Sequence, residues 1–218
     1  MLITSYNPQA LGDVLITIVS PSSENDVAET KNGVTVITNS TGELVGINFL
    51  EISKVLEVSN LAQGQVFLTA SQVDQLNQYL KTAGFEVTLN GLEQVKLVVG
   101  YVRSAEAHPD SDHLQVTVTE VGPDQVVQIV SGSPNMQANI KVVVAQVGTM
   151  MPNGLIIWPG ELRGVTSNGM IVSGRELQLP NAPKQPGALI LPNDFAPVGT
   201  IFDPHSLAAQ SLFSVSKA

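Results

Sequence analysis

Cysteine is absent from the 218 residues of this chain. Disulfide bridges and thiolate metal sites are thereby excluded, and nothing in the composition points to secretion. Charge is also scarce: 13% of residues are charged and 43% hydrophobic, which argues against disorder and suits a well-buried, β-rich protein. No basic residue precedes Lys31, so the positive flank of a secretory signal is missing. No apolar run approaches the ~20 residues that a membrane-crossing helix needs. The expectation is a soluble, cytoplasmic protein of one or two domains with a real core. Positive charge is the third deficit. Nineteen acidic against ten basic residues leave a net charge of −9.

The pattern along the chain predicts two domains. In the first, Val14–Val19 reads as a buried strand closed by Pro21-Ser22-Ser23. Asn32-Gly33 leads into Val34–Thr38 and Thr41-Gly42 into Leu44–Phe49, strands entered through tight turns because Asn and Gly tolerate positive φ. Val73, Leu76, Leu80 and Ala83 repeat at helical spacing, with Ser71 as the expected cap and Gly84 as the stop. These elements make residues 1–90 a small α+β domain of unknown role. A connection over 86–95, centred on Asn90-Gly91, leads to a second domain spanning 95–204. There Leu114, Val116 and Val118 alternate with Gln115, Thr117 and Thr119 as a half-buried strand. Val126–Val130, Lys141–Ala145 and Leu155–Trp158 follow as further strands, the last behind the hairpin signal Pro152-Asn153-Gly154. Short strands at this spacing suit a small barrel or a sandwich. Residues 205–218 form a C-terminal tail, either a short helix or a frayed end.

Four segments of the second domain carry candidate chemistry: Val99-Gly100-Tyr101-Val102 with the loop His108-Pro109-Asp110-Ser111-Asp112-His113, then Ser131-Gly132-Ser133-Pro134-Asn135, then Arg163–Met170 with Ser173 and Glu176, then Ile190–Thr200. The His108 loop admits a metal cluster, an acid/base carboxylate pair, or a structural turn in which the aspartates accept backbone N–H bonds, and the turn is favoured. Ser131 lacks the Gly-x-Ser-x-Gly frame of a nucleophile elbow. In Arg163–Met170 two glycines permit close backbone approach, Ser167 brings a hydroxyl, Arg163 a planar cation and Met170 an adaptable apolar surface. The same residues also suit a barrel-closing turn. Tyr101 and Arg103 offer stacking and charge on the strand face opposite Val98 and Val102.

In that order, the four segments resemble the tRNA-binding OB domain near the N-terminus of the bacterial phenylalanyl-tRNA synthetase beta chain. That domain also occurs in methionyl-tRNA synthetase extensions and in stand-alone tRNA-binding proteins. The resemblance covers 97–203, and residues 1–90 resemble the N-terminal domain of the YtpR family. It implies an all-β OB-fold barrel behind the α+β domain. Its binding edge would hold tRNA through Arg163, Ser167, Met170, Asn135, Lys141, Tyr101, Arg103 and His108, with no catalytic residue, metal or cofactor. Departures from the family pattern are Ser111 and Ser133 for alanine, Ser131 for cysteine, Tyr101 for lysine, and His113 for lysine or arginine. Several stand-alone members are homodimers, so a homodimer is a further expectation.

Charge constrains this reading. Residues 91–204 hold ten acids and only six bases: Lys96, Arg103, Lys141, Arg163, Arg175 and Lys184. Gathering of these six on one face favours RNA. Their scattering favours the alternative, a protein-interaction module for a tRNA synthetase or other partner. An enzyme built on His108, Asp110 and Asp112 is the third and least favoured reading.

Overall fold

A computed structural model describes residues 1–61, 63–91 and 96–214. The chain divides into two compact units, Met1–Gln94 and Val95–Ala218. The expected domain start at 95, part of the 86–95 connection and the last four tail residues lie outside the described residues.

The first unit holds strands β1 (Ile3–Tyr6), β2 (Val14–Ile18), β3 (Val27–Lys31), β4 (Val34–Thr38), β5 (Leu44–Leu50) and β6 (Gly64–Val66). They form one antiparallel sheet in the order β3-β4-β5-β2-β1-β6. A four-residue helix α1 (Pro8–Leu11) links β1 to β2, and the main helix is α2 (Ala70–Ala83). Leu15, Val34, Ile47 and Phe49 from the sheet share one core with Val73, Leu76, Leu80 and Ala83 of α2. The expected helix is therefore present with its apolar stripe inward. Its cap differs: the Thr69 hydroxyl accepts from the Gln72 N–H while the Gln72 side chain accepts from the Thr69 N–H. That reciprocal box starts the helix before Ser71, and Gly84 ends it in the left-handed region at φ 90°. Sequence reading missed β1, β3 and β6, which are short or lie at an edge. All five residues of β3 are exposed. Leu89 is buried in the core with Phe85, so part of the expected connection belongs to this unit.

The second unit opens with β7 (Leu97–Ala107), β8 (Gln115–Gly122), β9 (Gln125–Ser131) and β10 (Ile140–Ala145). Shorter strands follow: β11 (Gly160–Leu162), β12 (Val165–Ser167), β13 (Met170–Ile171) and β14 (Ile190–Leu191). The sheet runs β13-β10-β7-β8-β9, with β14 also on β10. Closure comes from β12 meeting β9. The Asn168 N–H donates to the Gln128 carbonyl at 2.8 Å, and the Val130 N–H donates to the Ser167 hydroxyl at 3.1 Å. The result is an OB-type barrel. Along the start of β7, which β10 covers on one edge and β8 does not reach on the other, the Val99 N–H donates to the Thr200 carbonyl at 2.8 Å and the Phe202 N–H to the Leu97 carbonyl at 2.9 Å.

The first half of β7, up to Val102, and β10 are buried on both faces. Val98, Val102, Val142 and Val144 pack in one core, and Val99, Val143 and Ala145 in another. This explains the unbroken apolar run Val142–Ala145. On β8 the phase is the reverse of the sequence expectation. Thr117 and Thr119 are fully buried while Val118 is exposed. The Thr117 hydroxyl pairs with that of Thr119 and bonds the Ile129 carbonyl at 2.9 Å, so the threonines enter the core satisfied. Leu155–Trp158 forms no extended strand; its hairpin is held by an isolated bridge, Met150 to Ile156, and by backbone bonds from Met151 to Leu155 and between Ile157 and both Thr149 and Gly148. Past 204 the helical outcome is the one found. Helix α3 (Leu207–Gln210) buries Ala209 completely in the second core, and Leu212 and Phe213 pack against it.

Candidate functional site

The two middle segments meet at one cleft of about 460 Å³. The end of β9 contributes Ser131 and Ser133, the β12–β13 turn contributes Ser167 and Met170, and the segment after β13 contributes Ser173 and Glu176. The opposite wall comes from Trp158 and the strand β11. These walls exist because a strand pair with a left-handed turn, Arg163 at φ 48° and Gly164 at φ 78°, folds β11 back onto β12.

The expected binding residues divide by position. Met170 is half-buried in the cleft wall. Ser167 is also in the wall but buried, its hydroxyl accepting from Val130 N–H and donating to the Gly169 carbonyl. It closes the barrel. Gly169 is likewise demanded from within, since a Cβ there would meet the Ala145 carbonyl at 3.1 Å and Ile129 Cδ1 at 3.3 Å. The close approach expected of these glycines is thus made to the protein itself at Gly169 and serves a hairpin turn at Gly164. Asn135 borders the cleft and clamps the backbone of Ala188, donating to its carbonyl at 3.0 Å and accepting from its N–H at 2.8 Å.

His108 lies inside the protein, 3% exposed. Its Nδ1 accepts from the Asp110 N–H at 3.0 Å, which leaves Nε2 to donate to the Leu162 carbonyl at 3.0 Å. This fixes the neutral tautomer and ties the His108 loop to the β11–β12 hairpin. Arg163 adds a second tie, donating to the Asp110 carbonyl at 2.8 Å, and keeps its guanidinium exposed. The Asp112 carboxyl is held below its usual range, first by its hydrogen bond to His113 and more weakly by the Arg163 charge. Among the described residues no group of three or more His, Cys, Asp or Glu is placed to hold a metal ion. The loop is a turn, but the acceptors differ from the expected aspartates: the His108 ring takes the Asp110 N–H, and the Ser111 hydroxyl takes those of His113 and Leu114.

Tyr101, Arg103 and Lys141 are not part of the cleft. Tyr101 and Lys141 face each other across β7 and β10, with the Tyr101 hydroxyl on Asn139. Arg103 pairs with Glu120, and the Lys141 ammonium donates to the carbonyls of Asn193 and Ala196. Arg175, in the cleft lining, donates one N–H to the Lys184 carbonyl at 3.1 Å, which ties the guanidinium to the backbone of a second basic residue. Sequence reading counted both as charges and gave them no role in a site. It also treated Trp158 as a strand end. Its signal was its singularity: it is the chain's one tryptophan, next to a hairpin turn.

Comparison with known proteins adds the family. A family model described as "Putative tRNA binding domain" matches residues 97–200, and one described as "Domain of unknown function (DUF4479)" matches residues 21–91. The phenylalanine–tRNA ligase beta subunit of Neisseria meningitidis is 42% identical over 135 residues, 58% of this chain but 16% of that subunit. The Staphylococcus aureus (strain USA300) subunit is 42% identical over 120 residues, covering 55% and 14%. The "Putative tRNA-binding protein YtpR" of Bacillus subtilis is 41% identical over 192 residues, 87% of this chain and 94% of that protein. With both of its units shared at that identity along nearly the whole of each chain, this protein belongs to the YtpR family.

Proposed function

We propose that the chain is a non-catalytic tRNA-binding protein that holds RNA over the cleft of its Val95–Ala218 unit. The observation that carries this is the convergence of two sequence-distant motifs, Ser131–Asn135 and Arg163–Met170 with Ser173 and Glu176, on a single cleft. The names of the YtpR relative and of the 97–200 family model support it. Arg163, Arg175 and Lys184 supply cationic groups that have no carboxylate partner among the described residues, and Met170 supplies apolar contact. Ser167, Asn135 and His108 act by shaping the edge. Tyr101, Arg103 and Lys141 form a separate surface whose bases are already engaged, and they add little. The cytoplasm, where tRNA resides, is the compartment this implies.

Filter binding of total tRNA beside a duplex DNA control, at low and moderate salt, tests the reading. Retention of tRNA over duplex DNA is expected, with Arg163→Ala weakening it by about 1–3 kcal/mol. No retention of tRNA at low salt overturns it. Co-elution with a tRNA synthetase in that case replaces it with the protein-interaction module. Self-association is read from the sedimentation of the same preparation.

A further inference from the structure

The cleft's chemistry is wrong for a simple phosphate site. Glu161 and Glu176 both line it against the single cation of Arg175, so an anion placed deep inside would meet more negative than positive charge. Glu176 is occupied, accepting from the Ser173 N–H and hydroxyl at 2.7 Å each. What the cleft does offer is a half-exposed indole, that of Trp158, and the thioether of Met170, both in its lining. Ser131, 5% exposed, accepts from the Ser133 N–H through its hydroxyl oxygen, which leaves its O–H proton for another acceptor. Glu161 is exposed and holds a carboxylate that accepts. Arg175 lines the cleft, and its bond to the Lys184 carbonyl puts the Lys184 backbone next to it. A flat, neutral ring with both donor and acceptor edges, attached to a phosphate outside, matches this arrangement. The volume of about 460 Å³ is also that of a small-ligand pocket.

We propose that this cleft receives one unpaired nucleobase of a bound RNA. The base stacks on Trp158, its edge meets the Ser131 hydroxyl and the Glu161 carboxylate, and the adjoining phosphate meets Arg175 and Lys184. The proposal rests on the RNA-binding reading above and names what that surface selects: a splayed nucleotide in place of a helical face.

Trp158 is the only tryptophan, so the emission of the full-length protein reports this cleft alone. An unstructured ten-nucleotide RNA and a tRNA transcript should each quench that emission and shield it from acrylamide, with the midpoint seen in filter binding. The same ten-nucleotide RNA annealed to its complement should not. Trp158→Ala should weaken tRNA and single-stranded RNA roughly five- to hundredfold, and Trp158→Phe should retain most of the affinity. Retained tRNA with unchanged emission, or equal quenching by the duplex, overturns the base pocket and leaves tRNA binding standing. Failure of the unmodified protein to retain any RNA overturns both. Should Trp158→Ala not fold, the emission titration and Trp158→Phe decide.

Discussion

Two backbone groups at the seam of the barrel depend on the hydroxyl of Ser167. Ser167→Ala should leave the buried Val130 N–H unpaired and cost about 1–3 kcal/mol in urea unfolding. A loss under about 0.5 kcal/mol would mean that water replaces the hydroxyl and the seam is held by other bonds. Gly100 is a second sensitive position, because a Cβ there would lie 2.6 Å from Val144 Cγ2 and 3.1 Å from the Glu120 carbonyl. Gly100→Ala should cost about 1–3 kcal/mol by overpacking, read in the same unfolding assay. Asp13 gives a pH signature in the first unit. Burial alone would raise its carboxyl, but hydrogen bonds from the Ser53 hydroxyl and N–H and from Tyr6, with the Lys54 charge, outweigh that and hold it low. A carboxyl depressed in the folded state adds stability above the unfolded value of about 3.9, and loses it as pH falls through the folded one. The thermal stability gap between the unmodified protein and Asp13→Asn should therefore be open at pH 7 and close below roughly pH 4. A gap that persists at pH 2 refutes the carboxylate's role.

Among the elements, α2 was readable because its period and its glycine stop are local. The cap was not. Ser71-Gln72-Val73-Asp74 and Thr69-Ala70-Ser71-Gln72 both carry a hydroxyl three residues before a side chain that accepts, and only the path of the chain out of β6 selects between them. Thr69→Ala should lower helix-dependent stability by about 1 kcal/mol, and Ser71→Ala by much less. Equal effects in parallel thermal melts would reject this cap. Strand β8 shows a deeper limit of pattern reading. Its valines and threonines alternate strictly, and hydrophobicity alone turns the valines inward. The Thr117 bond to the Ile129 carbonyl reverses the faces, and that partner lies on the neighbouring strand. The His108 loop was legible as a turn, yet its partner Leu162 comes from a hairpin far along the chain.

At the level of the whole molecule, the order of motifs sufficed to anticipate a barrel behind an α+β unit. It did not anticipate which motifs converge. Pattern singled out Met170, which lines the cleft, and Arg163, which does not; Trp158 and Arg175 reach the same lining only through the folded walls. The same walls bound the electrostatics. With Arg103 on Glu120 and Lys141 on two carbonyls, phosphate is left to Lys184 and to Arg163 and Arg175, which each spend one N–H on a carbonyl and keep others. Log K against log salt should then fall with a slope of about −2 on single-stranded RNA. A slope of about −3.5 would mean that the engaged bases are released on binding. The bonds of Val99 to Thr200 and of Leu97 to Phe202 join the first strand of the barrel to its last segment. During translation, β7 would emerge with that flank bare, and its partner would follow only after on the order of 5–20 s of elongation. The first unit can finish folding in that interval. The barrel must wait with an open apolar edge exposed to the crowded surroundings of the ribosome, so chaperone dependence and losses to aggregation should concentrate in the second half of synthesis.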